Sequence, residues 1–395
     1  METLVRGGAG GRRRGDAVAI TERKVFHFLL IVCAAAFAYQ VLAIIAAWRH
    51  ARRRVPKAAR EPGVSILKPV HGLDPNFREA IRSHARQEYP SFEILFGVAD
   101  PRDPAVTEIR RLAAEFPAVP IRLIHTSLRA PNEKVGVLQE LAAEARHSVL
   151  LVNDSDIQVP PGYLRDVVAP LEDARVGMVT CLYRARAESW PGRLEALGVA
   201  TDFAPGVLVA PLVGVREFGL GSTLVFRHEQ LRAVGGFSAV AGYLADDYQL
   251  ARRLSGLGLR VHLSRTVVET SLAGATWGQV WRHQVRWHRT IRVSKGKGYL
   301  GLPVTQATLW SMLAAASGFW WLALPLIAVR MIAGLAVGWG VLRCPLTRRY
   351  FFLIPLRDLL GSAVWVAGLL GRSVEWRGRK LRLSPDGRIL DSESP

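Results

Sequence analysis

The sequence is poor in cysteine. Its three cysteines, Cys33, Cys181 and Cys344, stand far apart and lack the paired spacing that zinc or redox motifs need. Cys33 and Cys344 lie in or beside apolar runs, where they read as small buried residues. Glycine-rich phosphate fingerprints are also missing after the first strand candidate, which leaves neither a dinucleotide fold nor a P-loop supported. Acidic residues are scarce beside basic ones, 33 against 52, for a formal charge of +19. That balance suits nucleic acid, an anionic membrane or an anionic small substrate. No recognised nucleic-acid module accompanies it, which argues against the first. Charge is absent altogether from Val25 to Trp48.

A charge-free apolar run of that length crosses a bilayer as one helix. It is too long and too far from the N-terminus for a signal peptide, and no clear cleavage site precedes Arg49. Residues 1–24 hold clustered glycines and Arg12-Arg13-Arg14 and are expected to be a disordered basic N-terminus. Arg49, Arg52, Arg53, Arg54 and Lys57 follow the span, so the positive-inside rule puts the large following domain in the cytoplasm. Leu309 to Leu342 is apolar apart from Arg330 and predicts two helices broken near Pro325. Tyr350 to Leu370 is a further apolar run, interrupted by Arg357-Asp358, a pair costly in lipid unless partnered. The expected organisation is a span at 25–48, a soluble domain at 60–270, an amphipathic interface helix at 271–300, membrane helices at 306–342 and 350–370, and a basic tail at 371–395 with a short hairpin around Pro385-Asp386-Gly387.

Between the spans, strand and helix candidates alternate, which predicts an α/β parallel sheet with helices on both faces. The stretch Val149 to Ile157 is its centre: four aliphatic residues read as a buried strand, then Asn153-Asp154-Ser155-Asp156 follows. Ligands in open α/β sheets bind outside the carboxyl ends of the strands. Asp154 and Asp156 there are either an Asp-rich turn or a divalent-cation site that in turn holds a diphosphate. Asp100 ends another strand candidate, as a base or ribose acceptor or as a helix cap. Lys134, two residues after Asn132 at a helix start, suits an anion or plain exposure. Asp246-Asp247 opens a helix, where acids are ordinary, yet beside an apolar segment it is also where a general base is sought. Phe203 to Gly221 reads as a segment near the membrane surface or lining an acceptor site. The stretch Thr276 to Ile291 carries Trp277, Trp281, His288 and three arginines, a basic aromatic helix suited to a membrane interface. Arg286 there suits a diphosphate; Trp287 suits an acceptor or sugar, or plain interface anchoring.

Taken in order, these motifs resemble the membrane-bound family 2 glycosyltransferases, and within them the ceramide glucosyltransferases and, more closely, the bacterial hopanoid-biosynthesis glycosyltransferases. The likeness runs over about residues 25 to 385 and includes the closing Trp376-Arg377-Gly378. It implies a GT-A α/β fold with N- and C-terminal transmembrane helices, an inverting UDP-sugar-dependent hexosyltransferase and a lipid acceptor. By resemblance, Asp100, Asn132, Lys134 and Asp154 serve the nucleotide-sugar donor, and Asp154 with Asp156 hold Mg²⁺ or Mn²⁺. Asp247 is the base, and Arg286-Trp287 complete the catalytic set. His283 stands where the family has Gln or Arg and is expected on the donor side. The expected reaction moves N-acetylglucosamine from a UDP-sugar to a hopanoid hydroxyl in a bacterial inner membrane. The alternative is glucose transfer from UDP-glucose to ceramide. The small number of C-terminal spans argues against a polysaccharide synthase, and the intact acids argue against a non-catalytic scaffold. No protein partner is expected.

Overall fold

A computed structural model describes residues 9–56, 58–376 and 378–393. Helix α1 (Ala9–Arg52) leads into a seven-stranded sheet built from β1 (Val64–Val70), β2 (Phe92–Val98), β3 (Ile121–His125), β4 (Val149–Val152), β5 (Val176–Arg186), β6 (Leu224–Arg227) and β7 (Arg260–Ser271). The order across the sheet is β3-β2-β1-β4-β6-β5-β7. Every pairing is parallel except those of β6, which runs antiparallel to β4 and β5. The sheet is therefore mixed, where alternation alone predicts a parallel one. The reason lies in the connection between β5 and β6. A parallel connection must cross back over the sheet. The 187–223 segment instead stays at the carboxyl edge, so β6 enters from the edge at which β5 left.

β1 has β2 on one side and β4 on the other, which makes their shared carboxyl edge the point where strand order reverses. Side chains alternate across each strand. Ile66, Ile94, Phe96 and Leu151 enter one core with α2 (Phe77–Ala85), α3 (Ala105–Glu115) and part of Leu164–Leu171. Leu67, Leu95, Leu150 and Phe226 enter the other with α4 (Glu133–Glu144). On the first face α5 (Tyr163–Val168) buries Tyr163 completely.

Between β5 and β6 the chain forms α6 (Trp190–Gly198), a π-turn at Val199–Phe203, and α7 (Ala204–Val209). Together with the turn to Val213 this is long and apolar enough to cross a membrane. It packs on α1 through Ala204, Val207 and Leu208. On the second sheet face α8 (His228–Ala233) and α9 (Asp246–Gly256) complete the core with Leu231, Leu250 and Leu254. Then come α10 (Trp277–Lys295), α11 (Lys297–Leu300), α12 (Ala307–Ala316), α13 (Trp320–Leu335), α14 (Pro345–Tyr350) and α15 (Ile354–Leu369).

Four helical stretches are long and apolar enough to span: Arg23–Arg52, Trp190–Val213, Trp320–Val341 and Pro345–Leu369. Phe28, Ile31, Trp320, Leu324 and Leu356 are exposed on them, the surface expected of helices facing lipid. The protein is a multi-pass membrane protein. Two expectations change here. Helix α1 starts at Ala9, not after a disordered stretch to residue 24, because extending a formed helix carries no new nucleation cost; residues 1–8 lie outside the described residues. The break in 306–342 falls at Gly318, whose φ of +84 suits glycine, while Pro325 sits inside α13.

After α15 the tail forms a three-stranded antiparallel sheet, β8 (Ser373–Trp376), β9 (Arg379–Leu383) and β10 (Ile389–Glu393). Its expected turn is present, with Gly387 N–H donating to Ser384 O at 3.1 Å. Arg377 of the tail motif lies outside the described residues. Val374, Leu381 and Leu383 bury against Leu244, just ahead of α9.

Candidate active site

The end of β4 is pinned by an uncharged residue. Asn153 is fully buried; its Nδ2 donates to Ser222 O at 2.6 Å and to Tyr163 Oη at 3.0 Å. Asp154 therefore leaves the sheet at a fixed point beside β1. Lys68, from β1, is also fully buried and donates from Nζ to Asp154 O at 3.0 Å. Burial lowers its pKa to about 7, against the opposing pull of Asp156, Asp154 and Asp74.

Above this floor Lys134 Nζ lies 2.7 Å from Asp154 Oδ1 and 3.7 Å from Asp246 Oδ2. Burial alone would lower the lysine; Asp154 and Asp246 outweigh it and hold the ammonium above its ordinary range. Asn132 caps α4 by accepting from Val135 N–H at 3.3 Å, and its Nδ2 donates to Tyr243 O at 2.9 Å. It thus joins the start of α4 to the loop before α9 and keeps Lys134 beside Asp246.

Asp247 is the second residue of α9. Its Oδ2 accepts from Gly221 N–H at 3.0 Å, and burial, with Asp246 alongside, raises its pKa to about 7. Asp246 is raised too, by burial first, with Lys134 opposing. Gly221 marks a shared space: a Cβ there would stand 3.2 Å from Asp154 Oδ2, 3.6 Å from Lys134 Nζ and 3.7 Å from Asp247 Oδ2. Asp156 accepts from the Thr270 hydroxyl, and burial followed by Asp154 raises it to about 6.

The acids suit a divalent cation that arrives with its substrate. Half-buried Asp156 is raised to about 6 by burial and then by the charge of neighbouring Asp154, a repulsion that a cation relieves. Among the described residues no group of three or more His, Cys, Asp and Glu side chains is arranged to hold a metal. Magnesium-like ions are commonly held by one or two carboxylates plus substrate phosphates. Asp154 and Asp156 fit that pattern.

The other expected residues divide. Asp100 reaches the same edge beyond β2 but is exposed, with Oδ1 accepting from Arg102 N–H at 2.8 Å within its own turn. Its neighbour Asp103 accepts from Gly72 N–H at 2.7 Å and ties the loop after β1. His283 Nδ1 lies 2.5 Å from Glu195 Oε1, and its ring packs on Trp287 with centroids 4.6 Å apart. Trp287 meets Phe203 at 5.8 Å, and Phe203 meets Tyr183 at 5.5 Å. Arg286 lines a cavity of about 520 Å³ with Arg282, Arg289 and Lys380, between α10 and the tail sheet.

Lys68, Asn153 and Glu195 were missed as site residues. A lysine inside an aliphatic strand and an acid inside the apolar stretch Trp190–Val213, which also holds Asp202, were the available signals, since buried charge needs a partner.

The sequence matches the pattern of glycosyl transferase family 21 over residues 28–389. Ceramide glucosyltransferase 3 of Caenorhabditis elegans is 24% identical over 398 residues, covering 97% of this chain and 86% of its own length. Ceramide glucosyltransferase 1 of the same organism is 23% identical over 347 residues, covering 84% of this chain and 74% of its own. In fold the chain is similar to a mannosyltransferase of Pyrobaculum calidifontis solved with GDP-Man and Mn²⁺, at TM-score 0.55 and 19% identity, covering 87% of this chain and 97% of that one. The fold is thus the expected GT-A α/β architecture with apolar helices at both ends. The matched pattern is that of family 21, where the motifs suggested family 2. Its relatives lie on the ceramide side of the expected resemblance.

Proposed function

The chain belongs to glycosyl transferase family 21, a nucleotide-sugar-dependent glycosyltransferase, and on that premise we propose that it transfers glucose from UDP-glucose to the primary hydroxyl of a ceramide. The ceramide glucosyltransferases covering most of the chain favour this acceptor over the hopanoid one first expected. The observation that carries the reading is the half-buried carboxylate Asp247 facing Asp154 and Lys134 across Gly221.

In the proposed reaction the acceptor oxygen attacks the anomeric carbon from the face opposite the diphosphate. The new C–O bond forms as the bond to the diphosphate oxygen breaks, and the acceptor proton passes to Asp247. A carboxylate held near pKa 7 is matched to that work at neutral pH. Asp154 and Asp156 would hold Mg²⁺ or Mn²⁺ with the diphosphate. When bound, the cation supplies positive charge against the leaving group. Lys134 adds a second positive charge beside Asp154. Lys68 and Asn153 hold the acidic turn in place. Asp100 is proposed at the nucleoside, beyond the end of β2. Arg286 and Trp287 are proposed to close the site from α10, with the catalytic domain on the cytoplasmic face.

The test is purified protein in lipid nanodiscs with Mn²⁺, a panel of UDP-sugars, and ceramide or bacteriohopanetetrol as acceptor. Glucosylceramide as the main product supports the reading. Transfer to bacteriohopanetetrol without transfer to ceramide overturns it.

A further inference from the structure

Glu195 lies in the apolar stretch Trp190–Val213, and its side chain is only 2% exposed. A buried carboxylate is kept where it is partnered or used. Its Oε1 takes two bonds from α10, from His283 Nδ1 at 2.5 Å and from Gln284 Nε2 at 3.2 Å. Gln284 Oε1 in turn accepts from Arg357 of α15 at 2.9 Å. Gln284, itself held by Arg357, thus anchors the same oxygen that meets His283. A carboxylate accepts, so Nδ1 carries a proton, and in the neutral ring Nε2 keeps its lone pair. Nε2 makes no hydrogen bond among the described residues, and the side chain is 30% exposed.

An arc of rings links this pair to the acidic centre. It runs from His283 to Trp287 at 4.6 Å, to Phe203 at 5.8 Å, and to Tyr183 at 5.5 Å. Tyr183 is half-buried within the field of Glu195, Asp154, Asp247 and Asp156; burial and these charges raise its pKa well above the ordinary value. Phe203 closes the π-turn at Val199–Phe203, where the apolar helix changes its winding beside the arc. Apolar rings ending at an acceptor nitrogen suit a molecule with a polar head and a hydrocarbon body. The donor side already has Lys134 and the acids, and among the described residues no hydrogen bond joins His283 to them.

We propose that Glu195 and His283 form an acceptor-positioning pair, in which His283 Nε2 accepts a hydrogen bond from a second polar group of the lipid head, a hydroxyl or amide N–H beside the reacting hydroxyl. Glu195 fixes the tautomer and the ring plane. The inference rests on the lipid-acceptor reading above and gives His283 a different side of the site from the donor role its motif position suggested.

The test compares wild type with His283→Leu, His283→Gln and Glu195→Gln on short-chain ceramide and on the same lipid lacking its secondary hydroxyl or carrying an N-methyl amide. Donor KM and release of glucose to water are measured alongside. His283→Leu should raise the acceptor KM about tenfold, the worth of one hydrogen bond, and leave donor KM and glucose release within about twofold. It should no longer distinguish the intact lipid from the analogue missing the bonded group. His283→Gln, which keeps an acceptor atom, should recover part of the discrimination, and Glu195→Gln should fall between. Unchanged discrimination in folded His283→Gln and His283→Leu, or a rise in donor KM alone, overturns the proposal. If wild type releases glucose but glucosylates no lipid, the lipid-acceptor reading falls and this proposal with it. If wild type glucosylates ceramide and the variants behave alike on all acceptors, only this proposal falls.

Discussion

Lys134 Nζ stands 2.7 Å from Asp154 Oδ1, so the lysine at the start of α4 answers the acid at the end of β4 across the switch point of the sheet. The same ammonium lies 3.7 Å from Asp246, which joins Asp154 to the helix that carries Asp247. Replacing Lys134 by Met should leave three acids facing one another with less positive charge. Transfer should fall by about 10²-fold, the scale seen when one preorganised charge partner is lost. Steady-state kinetics at saturating ceramide check this; a variant within threefold of wild type contradicts it.

Asp247 must be ionised to take a proton. Its carboxyl is raised to about 7 in the donor-free protein, so kcat/KM should climb with pH through that value and level above it. Asp247→Asn should lose this limb and about 10²–10⁴-fold in rate. A pH–rate profile from pH 5 to 8.5 decides it.

The same shift has a sign for stability. The folded state binds this proton more tightly than the unfolded chain, whose carboxyl titrates near 3.8. This carboxyl's contribution to stability is therefore fully present below that pH and is lost as pH rises through about 7. Melting of donor-free protein should show a smaller decline for Asp247→Asn than for wild type. Equal declines would place the shift elsewhere.

Arg330 and Asp358 form a buried pair between α13 and α15, with bonds of 2.6 and 2.9 Å, and Thr308 of α12 donates to the same acid at 2.6 Å. Arg330→Met leaves that acid without its counter-charge and should cost about 3–5 kcal/mol, while adding Asp358→Leu should return much of the loss. Thermal unfolding in detergent measures both. A single variant as stable as wild type contradicts the pairing.

The tail sheet braces the loop ahead of Asp247 through Leu381, Leu383 and Leu244. Leu381→Asp buries a charge without a partner there and should lower turnover more than donor affinity. Isothermal titration with UDP beside turnover numbers separates the two.

Local pattern made much of this legible. Val149–Val152, Asp154 and the span after Val25 follow from runs and alternation, which depend on neighbours in sequence. The antiparallel β6 was not legible, because its direction is set by where the 187–223 segment stays in space. The break at Gly318 was misplaced because proline is the louder signal, although a helix embedded among others tolerates it. Lys68 and Glu195 were hidden for another reason. A buried charge is recognised by its partner, and theirs lie 86 and 88 residues away in the chain.

The central claim is sugar transfer to a lipid hydroxyl with Asp247 as the base. Its most direct test is the incorporation of labelled glucose from UDP-glucose into ceramide by purified wild-type protein and by Asp247→Asn at equal expression, with Mn²⁺ present. Label in glucosylceramide from wild type and almost none from the variant is the predicted result. Unlabelled ceramide with wild type, or labelling by Asp247→Asn at the wild-type rate, would contradict it.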